Sequence, residues 1–398
     1  MSFELQSTTA TIICIIVVIL ICCCLINATN NEHFSLPLPP ATLERIQKSF
    51  FKNDKDNTIA QILNDMKPSN FIFSPRSLKE ALSLLYLGST GPAYGTLAQY
   101  FDNIKPELII VYYKNSDEQL MKSENIKIAN SIWNSNSIKI RIDYSNIARY
   151  ISDIYPFNLF TENVQNKINN WVSQKTDGMI TNIPFDKDSI IVVINTLYFN
   201  DKWKYPFDVS KTKQEQFFLA NKNNDFIYVP MMYQKQEIPY YNDENISAIS
   251  LPYVGPFSMI ITIDNKGYFL TNGQLSNLIS RMRKVNINIK IPKFTYENEM
   301  DLVPILKKVG MGNIFTTNYL KMINDSSVFV SNIIQKVKVD VDESGTKAAA
   351  VTSVSLKAAA SFVYEEENWF VANIPFNYYI IYSPTQEILF MGRYRGIK

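Results

Sequence analysis

The segment Glu343-Ser344-Gly345-Thr346, followed by Ala348, Ala349 and Ala350, narrows most what this chain can fold into. Taken at every second position, Thr346, Ala348, Ala350, Thr352, Val354, Leu356 and Ala358 are all small or apolar and none is charged. The other parity, Lys347, Ala349, Val351, Ser353, Ser355 and Lys357, carries both charges. Successive strand side chains point to opposite faces. The run therefore suits entry into a sheet with its uncharged face inward and its polar face outward. Its alanines suit a helix as well, and on composition alone a helix or loop is the commoner outcome. Gly345 reaches backbone angles closed to other residues, which suits a hinge.

The neighbours favour the strand. Val337, Val339 and Val341 alternate with Lys338, Asp340 and Asp342, a period-2 strand running directly into the hinge. Downstream, Phe370–Phe376, Tyr378–Tyr382 and Ile388–Met391 are apolar runs, the last two separated by the turn signal Ser383-Pro384-Thr385-Gln386.

With 398 residues and 46% hydrophobic content, the chain can bury a substantial core in one large domain or two ordinary ones. A net charge of +2 argues against a surface dominated by nucleic-acid contacts. Catalytic chemistry is constrained by two shortages. His33 is the single histidine, and the four cysteines, Cys14, Cys22, Cys23 and Cys24, all lie in one N-terminal apolar segment. Nucleophilic triads need an imidazole beside the nucleophile, and zinc sites need His or Cys ligands. No phosphate-cradling glycine loop is present. No catalytic residue, metal or cofactor is expected. The acidic clusters Asp340/Asp342/Glu343 and Glu365–Glu367 read as solvated faces.

Thr11–Ile26 is almost wholly apolar, with an uncharged flank reaching back to Gln6, long enough to span a bilayer. A secretory signal would need a basic start, yet Met1–Thr9 offers only Glu4. Residues 1–28 thus read as a membrane anchor or a signal peptide, and 29–56 as a tether in which Ala41–Lys52 can form a short helix. The remainder, 57–398, reads as a single domain without linkers or repeats. Asn245-Ile246-Ser247 and Asn324-Asp325-Ser326 match the glycosylation sequon. Ile59–Met66 and Leu78–Leu87 read as helices, the second with Ser74 as cap. Ile190–Tyr198, Ile246–Tyr253, Phe257–Ile263 and Val285–Ile291 read as strands. The mixture without strict alternation points to an α+β fold.

From about Ile59 to Arg393 the chain resembles the serpins. The resemblance rests on blocks in order along the chain. The first are Asn70–Pro75, Asn169-Asn170-Trp171-Val172 with Thr176 and Gly178, and Asn195–Phe199 followed by Trp203, Pro206 and Phe207. Then come Val229–Met232, Leu251-Pro252-Tyr253, Pro292-Lys293-Phe294, Gly310-Met311, Glu343–Ala350 and Phe390–Arg393. It implies a serpin fold with three β-sheets, about nine helices and an exposed reactive-centre loop. It also implies a monomeric inhibitor of serine proteases. The protease attacks the loop, forms an acyl-enzyme, and is trapped when the cleaved loop enters the main sheet. Gly345 to Ala359 would span about 46 Å as a strand at roughly 3.3 Å per residue. The hinge is then Glu343, Gly345, Thr346, Ala348, Ala349 and Ala350, and Trp203 is the breach tryptophan. Hinge length puts the scissile bond at Ala359–Ala360, suiting an elastase-like target. Lys357 would suit a trypsin-like pocket, and Phe362 or Tyr364 a chymotrypsin-like one. A cysteine protease is a further candidate target.

The chain departs from the family in three places. Gln335 stands where many members have histidine. The stretch from Phe101 to Ile126, where the cofactor-binding helix usually lies, looks abbreviated. The loop looks about five residues long for the family. A non-inhibitory serpin, acting as a binding or chaperone-like protein, is the alternative; bulky, charged or proline residues at the inward parity would favour it, and none occurs before Leu356.

Overall fold

A computed structural model describes residues 38–396 except 53–54, 67–68, 159–162, 220–224, 265, 317–318, 325–327 and 347–366. The apolar segment 11–26 and the loop residues Ala348, Ala349, Ala350, Lys357, Ala359, Ala360, Phe362 and Tyr364 therefore lie outside the described residues. Nine α-helices occur among the described residues: α1 (Pro40–Lys52), α2 (Lys55–Met66), α3 (Pro75–Gly88), α4 (Gly91–Tyr100), α5 (Pro106–Met121), α6 (Ile142–Ala148), α7 (Val164–Lys175), α8 (Asn272–Arg281) and α9 (Val303–Leu306). Sixteen strands accompany them. In the main sheet are β2 (Ile126–Ser135), β3 (Asp153–Phe157), β4 (Ile191–Phe199), β5 (Asp201–Lys202), β11 (Phe294–Asp301), β12 (Asn332–Val341) and β13 (Gly345–Thr346). In the other ladder are β1 (Phe71–Phe73), β6 (Lys213–Phe218), β7 (Phe226–Asn242), β8 (Ile246–Pro252), β9 (Phe257–Asp264), β10 (Arg283–Pro292), β14 (Asn368–Val371), β15 (Phe376–Tyr382) and β16 (Glu387–Tyr394).

The main sheet runs β3-β2-β4-β12-β13-β5, with β11 also paired to β12. β4 reads IVVINTLYF and is buried along its whole length, as expected of a strand covered on both faces. Its Leu197 and Phe199 join Val337, Val339 and Val341 of β12 in the core shared with the second ladder. Val192 and Ile194 face the other way, onto α7 through Ile168, Trp171 and Val172. The second ladder runs β1-β16-β15-β9-β8-β7-β10-β14, with β6 on β7. Among the described residues the strands form two hydrogen-bonded networks, where three sheets were expected. β7 is shared, pairing with β6 and β10 along most of its length and with β8 through its last three residues.

Local chemistry sets the boundaries. Ser74 caps α3, its Oγ accepting from Ser77 N at 3.1 Å, with Pro75 in the first turn. α9 passes into a wider, π-type turn over Lys307–Met311, in which Gly310 takes φ +84°. The stretch that looked abbreviated holds α5, sixteen residues long. The basic run Arg281–Lys284 is used structurally. Arg281 lies over the Tyr241 ring at 4.4 Å, and Arg283 donates to the carbonyls at the end of α8.

Candidate functional site

β4 and β12 pair directly and in parallel, Asn332–Lys338 against Val192–Tyr198, so no strand stands between them. Where this seam ends, β13 is seated between the end of β12 and β5. Thr346 lies opposite Val341 on one side and Asp201 on the other, and Gly345 lies opposite Lys202. The chain thus holds two residues of a further strand at one end of a closed seam.

The turn that returns the chain is built by Asp342. Its Oδ1 accepts from Ser344 N at 2.8 Å, Ser344 Oγ at 2.6 Å and Gly345 N at 3.2 Å. The return is tight enough to require glycine: a Cβ on Gly345 would lie 2.2 Å from Asp201 O. Trp203 anchors the turn from below. Its Nε1 donates to Asp342 O at 2.9 Å and its backbone N–H to Ser344 O at 2.9 Å. The indole stacks on Tyr253 with ring centroids 4.4 Å apart, and the Tyr253 hydroxyl meets Thr346 Oγ1 at 2.7 Å. Thr346 is 1% exposed.

Glu343 does not lie on a solvated face as its acidic neighbours suggested; it is 6% exposed. One carboxylate oxygen accepts from Thr212 Oγ1 at 2.7 Å and the other from Lys293 Nζ at 2.9 Å. Burial pushes its pKa up, but the bonds from Lys293 and Thr212 outweigh that and hold it below the usual glutamate range. The same bond raises Lys293. Asp201 receives Gly255 N–H at 3.0 Å and Lys202 N–H at 2.8 Å; burial nonetheless leaves its pKa raised.

The middle of the seam is held from beneath. Gln335 of β12 makes a reciprocal pair with Ser74: Ser74 N–H donates to Oε1 at 3.0 Å, and Nε2 donates to Ser74 O at 2.9 Å. Asn195 of β4 lies beside Gln335 in register and donates to Asn130 Oδ1. Asn130 donates onward to Glu80 Oε2 at 2.8 Å. Glu80 belongs to a buried ionic cluster centred on Arg76, which also bonds Asp117 and, at 3.0 Å, Glu387, with the Tyr113 ring 4.5 Å from its guanidinium. One cation therefore faces three carboxylates. Burial and the Glu80 charge push Asp117 well above the usual range, against the pull of Arg76. On the opposite face Lys336 Nζ bonds Asn182 Oδ1 at 2.8 Å and Glu299 at 3.1 Å, tying β12 to the segment that follows α7.

The structure thus brings Trp203, Glu343, Gly345 and Thr346 together. Tyr253, Lys293 and Thr212, which complete the cluster, were not singled out, although Tyr253 and Lys293 sat within quoted blocks. No group of residues that could hold a metal ion occurs among the described residues.

A closed main sheet whose next strand has already begun at one end is what these residues build. The profile of the serpin (serine protease inhibitor) family matches residues 57–396, and the chain belongs to that family. It is 30% identical over 363 residues to a leukocyte elastase inhibitor of Equus caballus, covering 83% of this chain and 94% of that protein. It is 29% identical over 383 residues to a serpin-like protein of Acanthamoeba polyphaga mimivirus, covering 90% and 94%. Among solved structures, a thermophilic serpin, tengpin, in its native state is similar with a TM-score of 0.78 at 24% identity, over 92% of this chain and 96% of that one. Native protease nexin-1 with heparin gives 0.76 at 23% identity, over 89% and 99%.

Proposed function

We propose that the chain inhibits serine proteases as a suicide substrate, with the reactive bond at Ala359–Ala360. The target cuts the loop as an acyl-enzyme, and the loop then enters between β4 and β12, carrying the protease with it. The observation that carries this reading is the seated hinge. Gly345 and Thr346 already occupy the first two positions of the new strand, and the uncharged parity continues their inward face. Insertion extends an existing ladder rather than nucleating one. Ala359 suits an elastase-like target, in keeping with the relatives named for inhibiting leukocyte elastase. The apolar segment 11–26 holds the protein at a membrane or delivers it to the secretory route.

The test is incubation of the purified chain with elastase, trypsin, chymotrypsin and a cysteine protease, followed by a denaturing gel and mass spectrometry. A covalent complex with elastase and a cut after Ala359 is the expected result. Cleavage by the whole panel without a complex points to a serpin that does not inhibit.

A further inference from the structure

We infer that Asn245 is an N-glycosylation site and that the serpin domain accordingly faces the lumenal or extracellular side of a membrane. The triplet Asn245-Ile246-Ser247 has the acceptor pattern, with a middle residue other than proline. Such triplets arise by chance, so the structural uses of each residue decide its meaning. Asn245 lies in the exposed turn between β7 and β8, whose strands close with Asn242 opposite Ser247.

An asparagine in such a turn normally earns its place by bonding the backbone or by taking a left-handed conformation. Neither applies here. Asp243 builds the turn: its Oδ1 accepts from Asn245 N at 2.9 Å and Ile246 N at 3.0 Å, and its own N–H donates to Ile246 O at 3.0 Å. Its other oxygen takes the Tyr241 hydroxyl at 2.6 Å. Asn245 has no left-handed φ and its side chain makes no hydrogen bond. The Ser247 hydroxyl makes none either, although the residue is only half-exposed. The two residues an acceptor site requires thus both have side chains free of any hydrogen-bonding task in this hairpin.

The position also tolerates a bulky sugar. β8 runs from the turn toward Tyr253, the residue that holds Thr346. At roughly 3.3 Å per residue, Asn245 lies about 26 Å from Tyr253 along the strand. A glycan there leaves the hinge uncovered. In the transfer, Asn245 Nδ2 bonds the anomeric carbon of a lipid-pyrophosphate-linked oligosaccharide. The bond from that carbon to the pyrophosphate oxygen breaks, the lipid pyrophosphate leaves with the electron pair, and Nδ2 gives up one proton. The donor acts only in the secretory lumen, which ties modification to the side of the membrane the domain occupies.

The experiment expresses the full chain in eukaryotic cells. The glycan is then removed enzymatically in heavy-oxygen water, which converts a modified asparagine to labelled aspartate, and the peptides are read by mass spectrometry. Label at residue 245 is expected. Ser247→Ala should abolish it and Ser247→Thr should keep it. The other triplets, Asn27-Ala28-Thr29 and Asn324-Asp325-Ser326, are read separately in the same digest. An unlabelled Asn245 overturns the inference, whether or not the others are labelled. Full chain made in bacteria, free of glycan, supplies the second arm. There Asn245→Gln should leave the melting temperature unchanged, and a clear drop would give Asn245 a structural task and overturn the argument.

Discussion

The hinge end of the seam and its middle hold the same two strands together by opposite means. At the hinge end, the contacts are made by the incoming strand itself: Thr346 to Tyr253, and the turn carbonyls of Asp342 and Ser344 to Trp203. On the proposed mechanism, continued insertion would keep these contacts and add to them. In the middle, β12 is held to α3 through Gln335 and Ser74, and β4 to Asn130 and the Arg76 cluster. Opening the seam must separate Asn195 from Gln335 while each keeps its own partner below. The difference teaches that, on the proposed mechanism, the sheet would open progressively from the hinge end, with the middle as the resistance.

The largest effect expected of a single change is at the hinge. Thr346→Arg buries an unpaired charge, at a cost of about 3–5 kcal/mol. Covalent complex on a denaturing gel should disappear while cleavage of the loop continues; a variant that still traps protease would break the distinction between the two regions. Next is Arg76→Met, which leaves three carboxylates without their cation. A loss of about 3–5 kcal/mol in native stability is expected in denaturant unfolding, shrinking in acid as the carboxylates protonate.

Asp117→Asn tests the middle more finely. The folded chain holds the Asp117 proton more tightly than the unfolded chain. Its contribution is complete below the ordinary carboxylate range and is lost as pH rises through the raised value. Thermal melts across pH should show this loss with rising pH in the parent chain and a flatter profile in the variant. Smallest is Glu343→Gln. The lowered pKa of Glu343 gives a contribution present above the ordinary glutamate range and lost as pH falls through the folded value. Because Lys293 is 43% exposed, the loss near neutrality should be about 1 kcal/mol, read as faster spontaneous inactivation.

Much of the frame was legible because it follows from periodicity. The all-apolar β4, the alternating β10 and β12, and the Ser74-Pro75 start of α3 declare themselves locally. The cluster beneath the seam does not. Arg76, Lys79 and Glu80 look like the solvated side of an amphipathic helix, yet all fourteen residues of α3 are buried. Their burial depends on Asp117 and Glu387, 41 and 311 positions from Arg76, and on Asp56 for Lys79. The role of Glu343 was blurred in the same way, because a run of acids reads as surface until Lys293 and Thr212 are brought beside it. α5 was missed because its tyrosines and isoleucines have no sharp helical stripe.

Gln335 carries one more consequence. Its amide accepts from Ser74 N–H and donates to Ser74 O at the same time, and it does so at any acidity a protein survives. An imidazole there would lose its acceptor on protonation and with it the bond from that N–H. At this lock the chain is therefore deaf to pH: acid leaves both bonds as they were.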